Sequence, residues 1–422
     1  MNKKNNSRLI ASKIIADWIE KEFFPEKEFY KLHVDRGFII EVVQGCIKNY
    51  AILKWLLNKW TSKLPSTYSQ AVIYVGFYQI LFMKNVEDYA AINETVEAAK
   101  FQSDGLGAAK LVNALLRRCQ REVREVRVEL FNQEISLQLS HPSDLFDKWV
   151  KNFGKQKAID LAKWNNLPPQ TFLRINQTKI KVDDFIKELN EREIKVNIHD
   201  SYRNEIFVIL PRGISVSSIP GYHEGHFVVQ DPATIHAVNL LNPKKFEKIL
   251  DACSSPGGKA MLIAERMVEA KSLTLMEIHE DRIPRLNENL KRCKLSNITV
   301  VKGDARSPKN VLSEMYDGIL CDVPCSNSGV LQRRADARWR IGKERIKKLN
   351  ILQNQILDGC SKILSPDGRL VYSTCSLENE ENEKLIGNWI KHNSEFYVED
   401  SISIFPPDSK TDGAYAALIR RC

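Results

Sequence analysis

Lys248-Ile-Leu-Asp-Ala-Cys-Ser-Ser-Pro-Gly-Gly-Lys259, running on into Ala260-Met-Leu-Ile-Ala-Glu265, decides how the chain is read. A short apolar run ends at Asp251, the chain breaks at Pro256-Gly257-Gly258, and apolar residues then resume at helical spacing. This is strand, glycine turn, helix, which leaves backbone N–H groups exposed to a ligand at the helix N-terminus. Gly257 and Gly258 supply the positive φ and the missing Cβ that close approach requires. The turn has neither Gly-x-Gly-x-x-Gly spacing nor the Gly-Lys-Ser/Thr of a phosphate loop.

Strand-like runs follow at regular intervals, each ending in a polar or reactive group. They are Ser272–Glu277, Ile298–Asp304, Tyr316–Asp322 leading into Val323-Pro324-Cys325, and Gly368–Cys375 after a Ser365-Pro-Asp-Gly368 turn. Helical patterns alternate with them, which predicts a parallel, doubly wound sheet with its site along the strand carboxyl ends. A carboxylate at Glu277 is placed for ribose hydroxyls. The last run, Gly413–Arg420, has no helix after it and should insert antiparallel. Acid-ended strands, a Gly-Gly turn and a terminal hairpin strand suit S-adenosylmethionine better than NAD.

Three stretches, Asp251-Ala-Cys-Ser-Ser-Pro-Gly-Gly-Lys259, Asp322-Val-Pro-Cys-Ser-Asn-Ser-Gly-Val330 and Tyr372-Ser-Thr-Cys-Ser-Leu-Glu-Asn-Glu380, resemble motifs of the RNA cytosine-C5 methyltransferases, most closely the bacterial RsmB (Sun/Fmu) type. The Pro-Cys and Thr-Cys-Ser pairs together make the resemblance specific. Departures are Ser254 and Ser255 where alanines are usual, Ala260 for threonine, Asn327-Ser328 for Gly-Thr, and Ala335 for proline. The resemblance implies S-adenosylmethionine as cofactor, held by Cys253, Ser254, Ser255, Pro256, Gly257, Gly258, Lys259, Glu277, Asp304 and Asp322. It implies Cys375 as nucleophile and Cys325 as the residue that assists proton removal and product release. The substrate it implies is 16S ribosomal RNA, in an unassembled or partly assembled small subunit.

Carbon 5 of cytosine attacks a sulfonium methyl only after a thiolate has added at carbon 6, and cysteine is both a strong nucleophile and a good leaving group. Cys375 is expected directly before a helix N-terminus, and Cys325 at the neighbouring strand end, so both sulfurs should converge. The target base must leave its stack to reach them.

The chain has 422 residues, 43% apolar and 27% charged, with net charge +9 and pI near 8.9. Beside a nucleoside-binding core, that balance points to a polyanionic partner. There is no long apolar run and no h-region after Met1-Asn-Lys-Lys, so neither membrane insertion nor export is expected. Nine scattered cysteines fit a reducing cytoplasm, and their spacing gives no metal site. A monomer is expected.

Residues 1–140 are helical in pattern, punctuated at Pro65 and Asp104-Gly105. Tyr74–Leu81 and Tyr89–Lys100 resemble the NusB-type helical RNA-binding domain. The stripe Tyr74, Phe77, Tyr78, Leu81 reads as helix core. Residues 141–230 read as a small α/β module, its helical start Ser143–Asn165 followed by a β-α-β-β order whose first strand carries Arg174 and Asn176, either RNA-facing or structural. Residues 231–422 are the Rossmann-like catalytic domain. The loop Gln332–Arg340 offers Arg333, Arg334, Arg338 and Trp339 for phosphate contact and base stacking. Cys293, Cys321 and Cys360 read as packing, as does Cys253 apart from its place in the turn. An amino-methyltransferase is disfavoured because Asp322-Val-Pro-Cys325 stands where an Asn/Asp-Pro-Pro-Tyr stretch is needed. A transfer-RNA cytosine-C5 methyltransferase and a non-catalytic RNA-binding assembly factor remain as alternatives.

Overall fold

The structure, a computed structural model, describes residues 6–21, 23–101, 105–202, 205–267, 272–295 and 297–422. Asp104 of the expected break and the basic start Met1–Lys4 lie outside them. The chain groups into two units, Met1–Asn166 with Arg334–Arg340, and Leu167–Arg333 with Ile341–Cys422. Among the described residues no helix is long and apolar enough to cross a membrane.

The first unit is helical. Its central helix, Thr67–Phe82, is apolar all round, as a helix buried on every side must be, and Ser66 caps it by accepting the Ser69 N–H. Tyr74 and Phe77 are fully buried in it, Tyr78 packs against the same core, and the stripe is core as expected. The helices Ser143–Phe153 and Lys155–Asn166 group with this unit.

The second unit holds two sheets. The smaller is antiparallel, from β1 (Thr171–Ile175), β2 (Asn197–Tyr202), β3 (Glu205–Leu210) and β4 (Phe227–Val229), in the order β2-β3-β1-β4. The β-α-β-β order is as read, and the entry segment Phe227–Val229 adds the fourth strand.

The larger sheet has seven strands: β5 (Lys248–Asp251), β6 (Ser272–Glu277), β7 (Ile298–Lys302), β8 (Tyr316–Asp322), β9 (Leu364–Thr374), β10 (Phe396–Ile404) and β11 (Ala414–Arg421). Their order is β10-β11-β9-β8-β5-β6-β7, with β5 to β9 parallel. The order reverses at β5, where ligands bind in such sheets. β11 inserts antiparallel between β9 and β10, as the missing helix foretold. Two features differ from the expectation. Ser365–Gly368 is a bulge within β9 instead of a turn before it. β10 was not foreseen, because its mostly exposed polar residues give no apolar run.

Candidate active site

The turn after β5 is tied down on both sides. Ala252 N–H donates to Leu320 O at 2.9 Å, and Ser254 sends its N–H and hydroxyl to Met276 O at 3.0 and 3.1 Å. Gly257 then takes φ 102°, a conformation glycine alone adopts easily, and an added Cβ would stand 2.7 Å from Leu286 Cδ1. Helix Gly258–Arg266 starts there, so its free N–H groups face the ends of β5 and β8.

A cavity of 310 Å³ opens above this turn, lined by Asp251, Ser254, Ser255, Lys259 and Asp322 among others. A second, of 40 Å³, shares Thr234, Lys259 and Asp412 with the first and is lined by Cys375. Lys259 Nζ donates to Asp322 Oδ2 at 2.7 Å, and Ser373 Oγ donates to Asp322 Oδ1 at 3.0 Å. Burial alone would lower the Lys259 pKa, but Asp322 outweighs it and the ammonium is held charged. Glu277, at the end of β6, is buried and accepts the His279 N–H at 2.8 Å. Asp304 lies beyond β7, its carboxyl held below the usual range by hydrogen bonds from Arg306.

Asp251 is a site residue that the sequence marked only as a strand end. It is buried, and among the described residues its Oδ1 has no hydrogen-bond partner. Burial, then the neighbouring Asp322, push its pKa from 3.8 to about 7, with Lys259 opposing. The folded state therefore holds more protons than the unfolded one between about pH 4 and 7, and stability falls as pH rises through that window. Asp412, raised to about 7 by burial and Asp231, acts in the same direction. Melting temperature should drop by several degrees between pH 5 and pH 8, and by less in Asp251→Asn. Equal drops in the two proteins would show that Asp251 ionises normally.

β8 and β9 lie side by side, with Asp322 opposite Ser373, so the loops leaving them meet. Cys325 Sγ and Cys375 Sγ are 3.3 Å apart. Cys325 is buried and Cys375 is partly exposed. The hydrogen bond to Cys375, then burial, raise the Cys325 pKa well above that of a free thiol. Cys375 S–H also points to Asn327 Oδ1 at 3.2 Å, and Asn327 Nδ2 is fixed by Cys325 O at 3.0 Å. The helix expected directly after Cys375 begins only at Glu383, after the short turn Asn379–Glu381. Asn327 and Cys325 surround the thiol instead.

The residues expected at RNA are elsewhere. Arg174 is buried, pairing its guanidinium with Glu265 and donating to Gln230 Oε1 at 2.7 Å. Asn176 is buried and accepts from Thr178. Arg338 is fully buried in the helical unit, where it donates to Asn166 Oδ1, Ser140 O and Asn165 O. Trp339 packs on Tyr50 and donates to Ile47 O. Arg174, Asn176 and Arg338 are internal because the fold supplies them with acceptors, and Trp339 is half-buried against the helical core. Arg333 bridges Asp231 and Asp412 at 2.9 and 2.8 Å, and Arg334 stacks over Phe24 in the helical unit.

Relatives share this chain over its whole length. Curated proteins called ribosomal RNA small subunit methyltransferase B, from Cronobacter sakazakii and Proteus mirabilis, are each 32% identical to it, covering 100% of both chains. Residues 238–420 match the family 16S rRNA methyltransferase RsmB/F. The chain belongs to the RsmB/F methyltransferase family. Residues 5–121 match the NusB family, and residues 141–215 the ferredoxin-like domain of RsmF/B-like methyltransferases. Among solved structures, that of PH0851 superposes with a TM-score of 0.78 at 22% identity, covering 98% of this chain and 99% of the other. A methyltransferase homolog from Pyrococcus horikoshii gives 0.60 at 26% identity, over 68% of this chain and 98% of its own. Membership of this family makes the chain a methyltransferase of the kind that uses S-adenosylmethionine. The residues present fit that group: orphaned Asp251 Oδ1 and Ser255 Oγ sit at a glycine turn beside an open helix N-terminus.

Proposed function

We propose that this chain methylates carbon 5 of a cytosine in 16S ribosomal RNA, through a transient bond between Cys375 Sγ and carbon 6 of a flipped-out base. The observation that carries the reading is the pair of thiols 3.3 Å apart, at the ends of neighbouring parallel strands, Cys375 lining a small cavity together with Lys259. A single nucleophile needs no second buried thiol, whereas addition followed by elimination does need a second group that handles the proton.

The glycine turn, the helix N-terminus, Asp251 and Glu277 would hold S-adenosylmethionine, which supplies an electrophilic methyl group when bound. Asp322, fixed by Lys259 and Ser373, offers an acceptor to the exocyclic amine of the base. Cys325, protonated at rest, lies within hydrogen-bond distance of Cys375, which adds to carbon 6 as the thiolate after giving its proton to solvent. Bond formation takes the negative charge off Cys375. The largest influence that held Cys325 protonated is then gone, so Cys325 can release its proton to solvent and, as the thiolate, accept the carbon-5 proton. Loss of that proton expels Cys375 and frees the product.

Incubation with 16S RNA and labelled S-adenosylmethionine, followed by nucleoside mass spectrometry, should yield 5-methylcytidine. Label in N4-methylcytidine would overturn the chemistry, and label found only when transfer RNA is supplied would overturn the substrate. Glu277→Ala removes charge-assisted hydrogen bonds and should weaken cofactor binding by roughly 1.5–3 kcal/mol. Calorimetry showing unchanged affinity would remove Glu277 from the pocket.

A further inference from the structure

One buried carboxylate touches the chain immediately beyond both cysteines. Glu381 lies in the turn Asn379–Glu381 and is fully shielded from solvent. Its Oε1 accepts the N–H of Ser326 at 2.9 Å, and its Oε2 accepts the hydroxyl of Ser376 at 2.6 Å. Ser326 follows Cys325 and Ser376 follows Cys375. Gln353 Nε2 donates to the same Oε1 at 3.0 Å and to Pro324 O at 2.9 Å, which holds the residue before Cys325 as well. Tyr372 OH donates to the Glu381 carbonyl at 2.6 Å and fixes the turn itself.

Among the described residues, the Glu381 side chain meets only neutral donors. Burying a carboxylate without a cation is costly, and an amide or hydroxyl would fill the space more cheaply. What a carboxylate adds is two acceptors on one rigid plane, each forming a short charge-assisted bond. Here the two bonds go to two different loops. Ser376 and Ser326 are also bonded to each other through their hydroxyls at 3.1 Å, which closes the network around the thiols.

We propose that Glu381 is the positioning residue of the thiol pair, setting the distance between Cys325 and Cys375 by gripping the chain one residue past each. The inference rests on the reading of the two cysteines given above. Without the grip, either loop can drift, and a displacement near 1 Å is enough to cost about 100-fold in rate.

The test is the rate at which diamide closes a Cys325–Cys375 bridge in the full-length protein without RNA. The two thiols give two protons and two electrons to the diazene, which becomes the hydrazine, and peptide mass spectrometry reads the bridge. Glu381→Gln keeps the acceptor for Ser326 but loses the second one, which Ser376 uses, so it should bridge at a rate between those of the wild type and Glu381→Ala. Glu381→Ala and Ser376→Ala should bridge about tenfold more slowly or worse, and Glu381→Ala should lose about 100-fold in kcat with its KM for RNA unchanged. Bridging by Glu381→Ala at the wild-type rate would overturn the proposal, as would Glu381→Gln bridging as slowly as Glu381→Ala. If Glu381→Ala does not fold, Ser376→Ala decides, and wild-type bridging there overturns it. Bridging needs no substrate. A wild-type protein that bridges as expected yet transfers no methyl group therefore overturns the function proposed above and not the role of Glu381.

Discussion

Replacing Cys375 by alanine is expected to lower methyl transfer by on the order of 10⁴-fold or more, the scale seen when a covalent nucleophile is removed, and to leave no protein–RNA adduct. Replacing Cys325 by alanine is expected to do the reverse with the adduct: methylation stalls while a denaturation-resistant complex accumulates. The two sulfurs are only 3.3 Å apart, yet their surroundings differ. Cys375 is the partly exposed one and borders the small cavity, so it can reach a base. Cys325 is buried with its pKa raised, and in the proposed mechanism it is the proton carrier of the pair. Removing the carrier leaves addition at carbon 6 intact and blocks elimination, which strands the bond. Denaturing electrophoresis of each variant after incubation with 16S RNA and S-adenosylmethionine separates the roles. A retarded band from Cys375→Ala and none from Cys325→Ala would exchange them.

Arg174→Ala is expected to destabilise the second unit by roughly 3–5 kcal/mol, the cost of leaving one member of a buried ion pair alone. Arg174 and Glu265 are both buried, and the pair joins β1 of the small sheet to the helix Gly258–Arg266 that carries the cofactor turn at its other end. The same guanidinium orients Gln230, whose amide continues to Thr234 Oγ1 at 2.9 Å in the cavity wall. Its loss should therefore lower the urea midpoint, and the Arg174→Ala/Glu265→Ala double variant should cost less than the sum of the single ones, because the orphaned charge is gone. Reduced RNA affinity with an unchanged midpoint would instead return Arg174 to the RNA surface.

The parts of the molecule that were legible in the sequence are those where local pattern and position coincide. The strand, glycine turn and helix at Lys248–Glu265 form where read. So do the alternation that follows and the antiparallel insertion of β11. In each case the deciding residues lie within a few positions of one another. The arginines were harder to place for the opposite reason, Arg174 being left open between an RNA-facing and a structural role. Arg174 finds its carboxylate 91 residues away, and Arg338 its amide 172 residues away. A guanidinium looks like surface until such a partner is known. Glu381 was hidden differently. It stands in an acidic run that resembles the opening of a helix, and the fold alone selects which acid turns inward. β10 lies at a sheet edge, where exposed residues carry no apolar signature.

The segment Arg334–Arg340 belongs to the helical unit although its neighbours on both sides belong to the other. Ala335 and Trp339 join the helical core, and Arg338 satisfies the Ser140 and Asn165 carbonyls. On a ribosome adding roughly 5–20 residues per second, this piece is made roughly 8–35 s after Asn166. Throughout that interval the amino-terminal helices stand with an open seam and unsatisfied carbonyls, and they cannot close before residue 340 of 422 has been added. The part of the protein made first is thereby exposed longest to chaperones and proteases during synthesis.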